Sequence, residues 1–226
     1  MTSLRPELPP LPKRMKALPV VRGYSVPWFV EWIDGVPDFR IMDGRKLVRA
    51  VRERLCWVCG QPLGSFLAFT VGPMCAVNRI SSEPPSHRDC AVFSAKACPF
   101  LTRPTMRRRE AGRPEEAEQP GGMMIDRNPG VALVWVTKSY TTKTAHGGTL
   151  FQMGEPKSVL AWARGEVATP AQVRESIESG LPLLVAPAED EGPDALRALE
   201  RGVRVACALL GIYPPIVLPS TQGVLR

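Results

Sequence analysis

The stretch Cys56-Trp57-Val58-Cys59-Gly60, answered further on by His87-Arg88-Asp89-Cys90, decides how this chain reads. Five of the six cysteines fall between residues 56 and 98. Clustered thiols in a chain without an export signal more often hold a metal than form disulfides. Zinc takes four soft or borderline donors in a tetrahedron, at about 2.3 Å to sulfur and about 2.0–2.1 Å to nitrogen. A C-x-x-C turn followed by glycine lets two thiolates converge from one loop. Residues three apart at the start of a helix share a face, so His87 and Cys90 can close the tetrahedron from a first turn, where the helix end also favours the charge of a thiolate. The expected ligands of a Zn2+ ion are therefore Cys56, Cys59, His87 and Cys90. Cys75 lies between the two pairs and could replace His87, giving a four-cysteine site. Cys98 is eight residues beyond Cys90, about 12 Å along a continuous helix, which is too far to share the ion. Cys207 falls on an apolar helical stripe with Leu199, Val203 and Leu210 and reads as an inert core thiol.

Working outward, residues 65–77 (SFLAFTVGPMCAV) read as two short strands broken by Gly72-Pro73, a hairpin between the two ligand pairs. Ser86 is the expected cap of the next helix, with Asp89 three residues on as in a capping box. Upstream, Asp43 is the expected N-cap of GRKLVRAVRERL (44–55), whose Leu47, Val48, Val51 and Leu55 recur at helical spacing opposite Arg45, Lys46, Arg49, Arg52 and Arg54. Before it, Val26–Ile41 reads as a β-hairpin turning at Asp34-Gly35, a dipeptide that tolerates positive φ, with Pro37 on an edge strand. Trp28 and Trp32, four residues apart, share a face at period two and are expected to pack in the core. Residues 4–19 are Pro-rich, without an apolar period, and read as an extended arm carrying Lys13, Arg14 and Lys16.

Downstream, residues 103–122 combine a basic run, an acidic run, Pro and Gly, and read as a linker or mobile loop. Val131–Tyr140 and Thr149–Met153 are expected strands, joined by a loop containing His146. Pro156–Arg164 is an expected helix. Thr169-Pro170-Ala171-Gln172 forms a capping box with a first-turn proline, Gly180 reads as a C-cap, and Pro193 opens a helix to about Leu210 ahead of a loose tail. The sum is an α+β fold in five parts: a Pro-rich basic arm (1–19), a zinc-binding basic module with β-hairpins (20–102), the linker (103–122), an acidic α+β module with C-terminal helices (123–211) and a tail (212–226).

With 226 residues, 44% apolar and 23% charged, the composition is that of a folded protein and excludes collagen, coiled coil and wholly disordered chains. No stretch approaches the roughly 18 apolar residues of a membrane span, and no signal peptide is recognisable, so a soluble cytoplasmic protein is expected. The net charge of +7 hides an asymmetry. Residues 1–109 carry 18 basic and 8 acidic side chains, whereas 110–226 carry 11 and 14. An excess of that size in one half attracts polyanions through released counterions. Arg45, Lys46, Arg49, Arg52, Arg79, Arg107, Arg108 and Arg109 are the candidate phosphate contacts. The alternative is a solvated basic surface with no such partner.

The order of knuckle, short hairpin and helix bearing the second pair, over about residues 55–98, resembles a treble-clef zinc finger, a group that includes HNH-type nucleases and many binding modules. Those nucleases use a histidine on the hairpin to activate water, and residues 61–80 contain none. At CWVCGQPLG, GPMCAVNRISSEPPSHRDC, ACPFL and NPGVALVWVTKSY the chain also resembles a family of uncharacterised zinc-binding proteins of bacteriophages and of bacterial genomes with mobile elements. That likeness extends over most of residues 20–185. No activity is carried over from that family; the zinc site and the basic half point to a non-enzymatic accessory protein binding nucleic acid or a nucleoprotein complex, and the phage context suggests, for example, a factor directing a recombinase in DNA recombination. The competing expectations are a metal-dependent nuclease with a diverged site and a protein–protein adaptor.

Overall fold

A computed structural model describes residues 3–107, 121–122, 126–145 and 148–218. In chain order a 3-10 turn (Lys13–Met15) is followed by β1 (Val20–Val21), β2 (Tyr24–Ser25), β3 (Val30–Ile33), β4 (Val36–Met42), α1 (Gly44–Glu53), β5 (Leu67–Val71), α2 (Pro73–Asn78), β6 (Ile80–Ser81), α3 (Arg88–Ala97) and α4 (Pro99–Thr102). Then come β7 (Ala132–Thr137), β8 (Tyr140–Ala145), β9 (Gly148–Met153), β10 (Pro156–Ala163), β11 (Glu166–Val167), α5 (Pro170–Gly180), α6 (Pro182–Glu191) and α7 (Pro193–Leu209). The fold is mixed α+β with small antiparallel sheets. Among the described residues they are a four-stranded sheet in the order β11-β10-β7-β5, a three-stranded one, β6-β9-β8, and two hairpins, β1-β2 and β3-β4.

β7 (ALVWVT) organises the molecule, because every one of its residues is buried. Side chains alternate across a strand, and both of its faces are apolar. Leu133 and Trp135 join Phe69, Val71 and Ala163 under α2, α5 and α7, where Val77, Val173, Ile177, Val203, Ala206 and Cys207 complete the main core. Ala132, Val134 and Val136 join Ala68 beneath α3, which presents the small residues Ala91 and Ala95 to the sheet. The sheet is thus sandwiched between α3 on one side and a helical layer on the other. β5 pairs with β7 from Leu67↔Thr137 to Val71↔Leu133, so the segments before and after 103–122 build one sheet.

The hairpin at Asp34-Gly35 forms, with φ of 49° and 76°, the paired positive values that a two-residue hairpin turn needs. A register shift between Val30 and Glu31 breaks the period-two face expected of the tryptophans. Val30 is fully buried while Trp32 is 38% exposed, so the core assignment of Trp32 is corrected.

The segment 156–164 is a strand, not a helix. Its Val159, Leu160 and Ala163 fit helical spacing, but Val159 and Ala161 contact the main core while Leu160 and Trp162 contact the α3 side. A strand apolar on both faces carries the same residues as a buried helix, and β7 needs a ladder partner on that edge. The region 65–77 is likewise β5 followed by α2 rather than two strands, since Pro73 takes the first helical position after Gly72, where a missing N–H costs nothing. Ser86 does not cap α3. Its backbone exchanges hydrogen bonds with Ala68 (2.7 and 2.8 Å), and His87 holds the cap position without a side-chain cap bond. Gly180 is the last residue of α5 with Leu181 continuing in right-handed conformation. A Cβ there would lie 2.8 Å from Met74 Cγ, so close packing rather than a C-cap accounts for the glycine. Residues 212–218 are not loose throughout: Ile212 is buried, and Ile216 and Leu218 pack on the main core.

Asp43 caps α1 as expected, accepting from the backbone N–H of Arg45 (2.9 Å) and Lys46 (3.4 Å). Burial alone would raise its pKa, but hydrogen bonds from Arg45 and the charges of Lys46 and Arg45 outweigh it and hold the carboxyl below the usual aspartate range. Its stabilising contribution is complete above about pH 4, the unfolded value, and is lost as pH falls through the lower folded value. Asp43→Ala is expected to cost about 1 kcal/mol at neutral pH, measured by urea unfolding. The gap from the unaltered protein should shrink as the pH is taken below about 4.

Candidate metal centre

The chain leaves α1 through Arg54 in left-handed conformation (φ 52°) and folds into a tight knuckle. Leu63 N–H donates to the Arg54 carbonyl, Cys56 N–H to Gln61 and Gly60 N–H back to Cys56, each at 2.8 Å. Gly60 has φ +71°, and a Cβ at this position would sit 2.6 Å from Trp28 Cγ, so only glycine fits. The second pair comes from the start of α3. Ligand atoms of Cys56, Cys59, His87 and Cys90 all lie within 4.8 Å of one another, and all four residues are buried. The expected ligand set is thereby brought together, and a buried Cys3His group of this kind can hold a metal ion.

The histidine is already oriented for that task. Its Nε2 lies 3.0 Å from the Pro62 carbonyl, which can only accept, so Nε2 carries the hydrogen and Nδ1 keeps a lone pair. Nδ1 faces Cys59 Sγ at 3.4 Å. An outer hydrogen bond of this type fixes the tautomer and ring direction of a ligating imidazole. Two backbone N–H groups, of Cys59 (3.4 Å) and His87 (3.3 Å), point at Cys56 Sγ. Hydrogen bonds from the side chains of Cys59 and Cys90, and these N–H groups, hold the Cys56 thiol far below the ordinary range. The same contacts push Cys59 up to about 11, through Cys56 first, and raise Cys90, through Cys56 and Cys59. Three sulfurs this close share protons around one thiolate unless a cation is present; a dication allows all three to ionise.

The surroundings are apolar. Val58, Phe93, Ala97 and Met15 are buried against the cysteines, with Leu8, Leu11, Leu18 and Leu63 partly buried around them. The N-terminal arm is therefore not a free extended segment. It wraps over the knuckle, tied by Gln61 Nε2–H to the Arg14 carbonyl (3.2 Å) and by an Arg14–Asp89 ion pair (3.3 Å). Leu8, Leu11, Met15 and Leu18 follow a 3-4-3 spacing, the signal in the sequence that could have placed this arm against the site.

The other candidates lie elsewhere. Cys75 sits on α2 against the main core, its pKa raised to about 11 by burial, and is outside the Cys/His group. Cys98 ends α3 and is outside it too. Between the two ligand pairs the chain runs β5, α2 and β6 rather than a hairpin. Of the candidate phosphate contacts, Arg45 pairs with Asp43 and Glu31, Lys46 with Asp43, Arg49 and Arg52 with Glu53, Arg79 with Glu155 and Arg107 with Asp126. Arg108, Arg109 and His146 lie outside the described residues. No helix among the described residues is long and apolar enough to cross a membrane. No protein-family model, curated protein or solved structure matches the chain.

Proposed function

We propose that this is a zinc-stabilised, non-enzymatic protein that binds nucleic acid. The observation that carries the reading is the closed donor set. Four side chains surround one point, all buried, whereas a catalytic zinc keeps a position for water or substrate. Three sulfurs and an imidazole suit zinc and not magnesium or calcium, which take oxygen. The 3.4 Å between Cys59 Sγ and His87 Nδ1 is close to the edge of roughly 3.5 Å that a zinc tetrahedron with these bond lengths requires.

Nucleic acid as the partner is supported by the charge distribution, 18 basic against 8 acidic side chains in residues 1–109. The ion pairs on the basic residues of α1 do not oppose it, because exposed pairs contribute only about 0–1 kcal/mol and can exchange a carboxylate for a phosphate. The resemblance to phage and mobile-element proteins suggests an accessory role, for example directing a recombinase, as the setting of this binding. Fluorescence anisotropy of labelled DNA with the metal-loaded protein, across a salt series, tests it. Affinity should fall linearly on a log–log plot, with a slope of about −0.7 per phosphate neutralised on single strands. DNA should survive incubation with several divalent ions. Salt-independent affinity, absence of binding at low salt, or cleavage overturns the proposal.

A further inference from the structure

Helix α3 covers only part of its side of the four-stranded sheet. It packs on β5 and β7 through Ala91 and Ala95, and leaves the neighbouring face of β10 as an open groove. Val92 on α3 and Leu160 and Trp162 on β10 line it, with Arg88 and Asp89 at one end. The groove holds about 430 Å³, within the roughly 300–1,000 Å³ of small-molecule sites. Three apolar side chains make too short a floor for a partner helix, which needs anchors over several turns.

Cations predominate along its helix wall, against the single carboxylate of Asp89. Arg88, Val92 and Lys96 stand at four-residue intervals along α3, on one face of the helix. Lys96 Nζ lies 5.1 Å from the Trp162 ring centroid. Asp89, the acid in the lining, is engaged by Arg14 at 3.3 Å. Arg88 makes no ion pair among the described residues and is exposed. The turn at Arg164-Gly165 closes the far end against the last turn of α3, where a Cβ on Gly165 would sit 3.1 Å from the Lys96 carbonyl. An indole on an apolar shelf, with cations along one wall and the nearby carboxylate paired with Arg14, is complementary to a flat aromatic group joined to a phosphate.

We infer that the groove between α3 and β10 is a base-stacking site for single-stranded nucleic acid. Trp162 is the platform for one base, Val92 and Leu160 form the walls, and Arg88 and Lys96 take the adjoining phosphates. The ammonium of Lys96 sits over the indole in the free protein. Its flexible stem lets it swing from ring to phosphate as a base takes the ring face. Stacking of this kind is tolerant of sequence, because every base has a π face. The inference rests on the proposal that the protein binds nucleic acid, and it names the site and the form of the ligand.

The test compares a labelled oligo-dT with a mixed-sequence duplex by anisotropy, using the full chain with its metal. The unaltered protein should prefer the single strand. Trp162→Ala should weaken that binding roughly 5- to 150-fold, the range that base–aromatic stacking spans, while Trp162→Phe retains most of it. Arg88→Gln, at an exposed position, should leave metal content and circular dichroism unchanged and reduce the salt slope by about 0.7. It therefore remains a valid probe even where Trp162→Ala perturbs the fold. If the oligonucleotide binds and both Trp162→Phe and Arg88→Gln behave as expected, the site stands. If it binds and Arg88→Gln and Trp162→Ala leave affinity and slope unchanged, this inference falls and nucleic-acid binding stands. If neither DNA binds, both fall.

Discussion

Cys90→Ser is expected to abolish stoichiometric metal binding and to unfold the knuckle, the N-terminal arm and the start of α3. Serine nearly matches the thiol in volume, so little packing is lost; the variant loses a thiolate from a set of four that lies within 4.8 Å. Structural zinc in small finger peptides contributes apparent binding energies of about 10–16 kcal/mol. Whole domains are stable by only about 5–15 kcal/mol. A loss of even about 5 kcal/mol would lower the melting temperature of a chain this long by about 10–20 °C, at about 2–4 °C per kcal/mol. The arm should come away with the metal, because Met15, Leu8, Leu11 and Leu18 pack on the same cysteines and on Phe93. Elemental analysis of the purified variant and a thermal melt by circular dichroism check both halves of the expectation. Cys75→Ser is the control. That thiol packs against the main core, outside the Cys/His group, so the metal content of this variant should equal that of the unaltered protein. Full metal occupancy in Cys90→Ser, or an unchanged melt after the metal is stripped with a chelator, would falsify the structural role of the centre.

The parts of this fold that were legible in the sequence are those held by neighbours a few residues away. The C-x-x-C-G knuckle, the His87/Cys90 pair, the turn at Asp34-Gly35, the Asp43 cap and the Thr169/Gln172 capping box each depend on local hydrogen bonds or on φ, and each forms as expected. The errors fall where a distant partner decides. Pro156–Ala163 carries apolar residues compatible with helix or strand, and its conformation is settled by the free edge of β7, some twenty residues upstream. Trp32 leaves the core because of one register shift in its hairpin. The arm reads as extended because five prolines mask the spacing of its four apolar residues, and only the presence of the knuckle gives those residues something to cover. Charge misleads in a different way. The reversal near Arg109 is a property of the surface, while β5 and β7 pair across it in the interior. Within the candidate metal centre the four donor residues were legible, and the groove beside α3 was not, since it needs Trp162 on a strand that reads as a helix.

Trp135→Ala is the substitution that should show whether this shared interior makes the chain melt as one unit. The indole is fully buried, between Phe69 of β5 on one side and Val159 of β10 on the other in register. Its Nε1–H donates to the Gly154 carbonyl at 3.0 Å, and the Arg79 guanidinium lies 5.9 Å from the ring centroid. Truncating a buried aromatic to alanine costs about 3–5 kcal/mol from lost transfer energy and the cavity left behind. For this length the melting temperature should fall by about 6–20 °C. Trp32→Ala, which removes an equally large ring from an exposed position, should stay within about 0.5 kcal/mol. The decisive measurement is the agreement between two probes in the Trp135→Ala melt, metal release to a chromophoric chelator and helical signal by circular dichroism. The metal centre reports on residues before the charge reversal, while the helical signal sums α1 to α4 before it and α5 to α7 after it. Because α3 carries two of the candidate ligands at its start and packs Ala91 and Ala95 against Ala132, Val134 and Val136, loss of β7 removes the floor on which that helix rests. Both signals should therefore move down together and remain superimposable, the behaviour of a two-state transition. A metal centre that keeps its original melting temperature while the helices melt early would show that the knuckle and α3 hold together without the sheet, and that β5 transmits no stability across the pairing with β7.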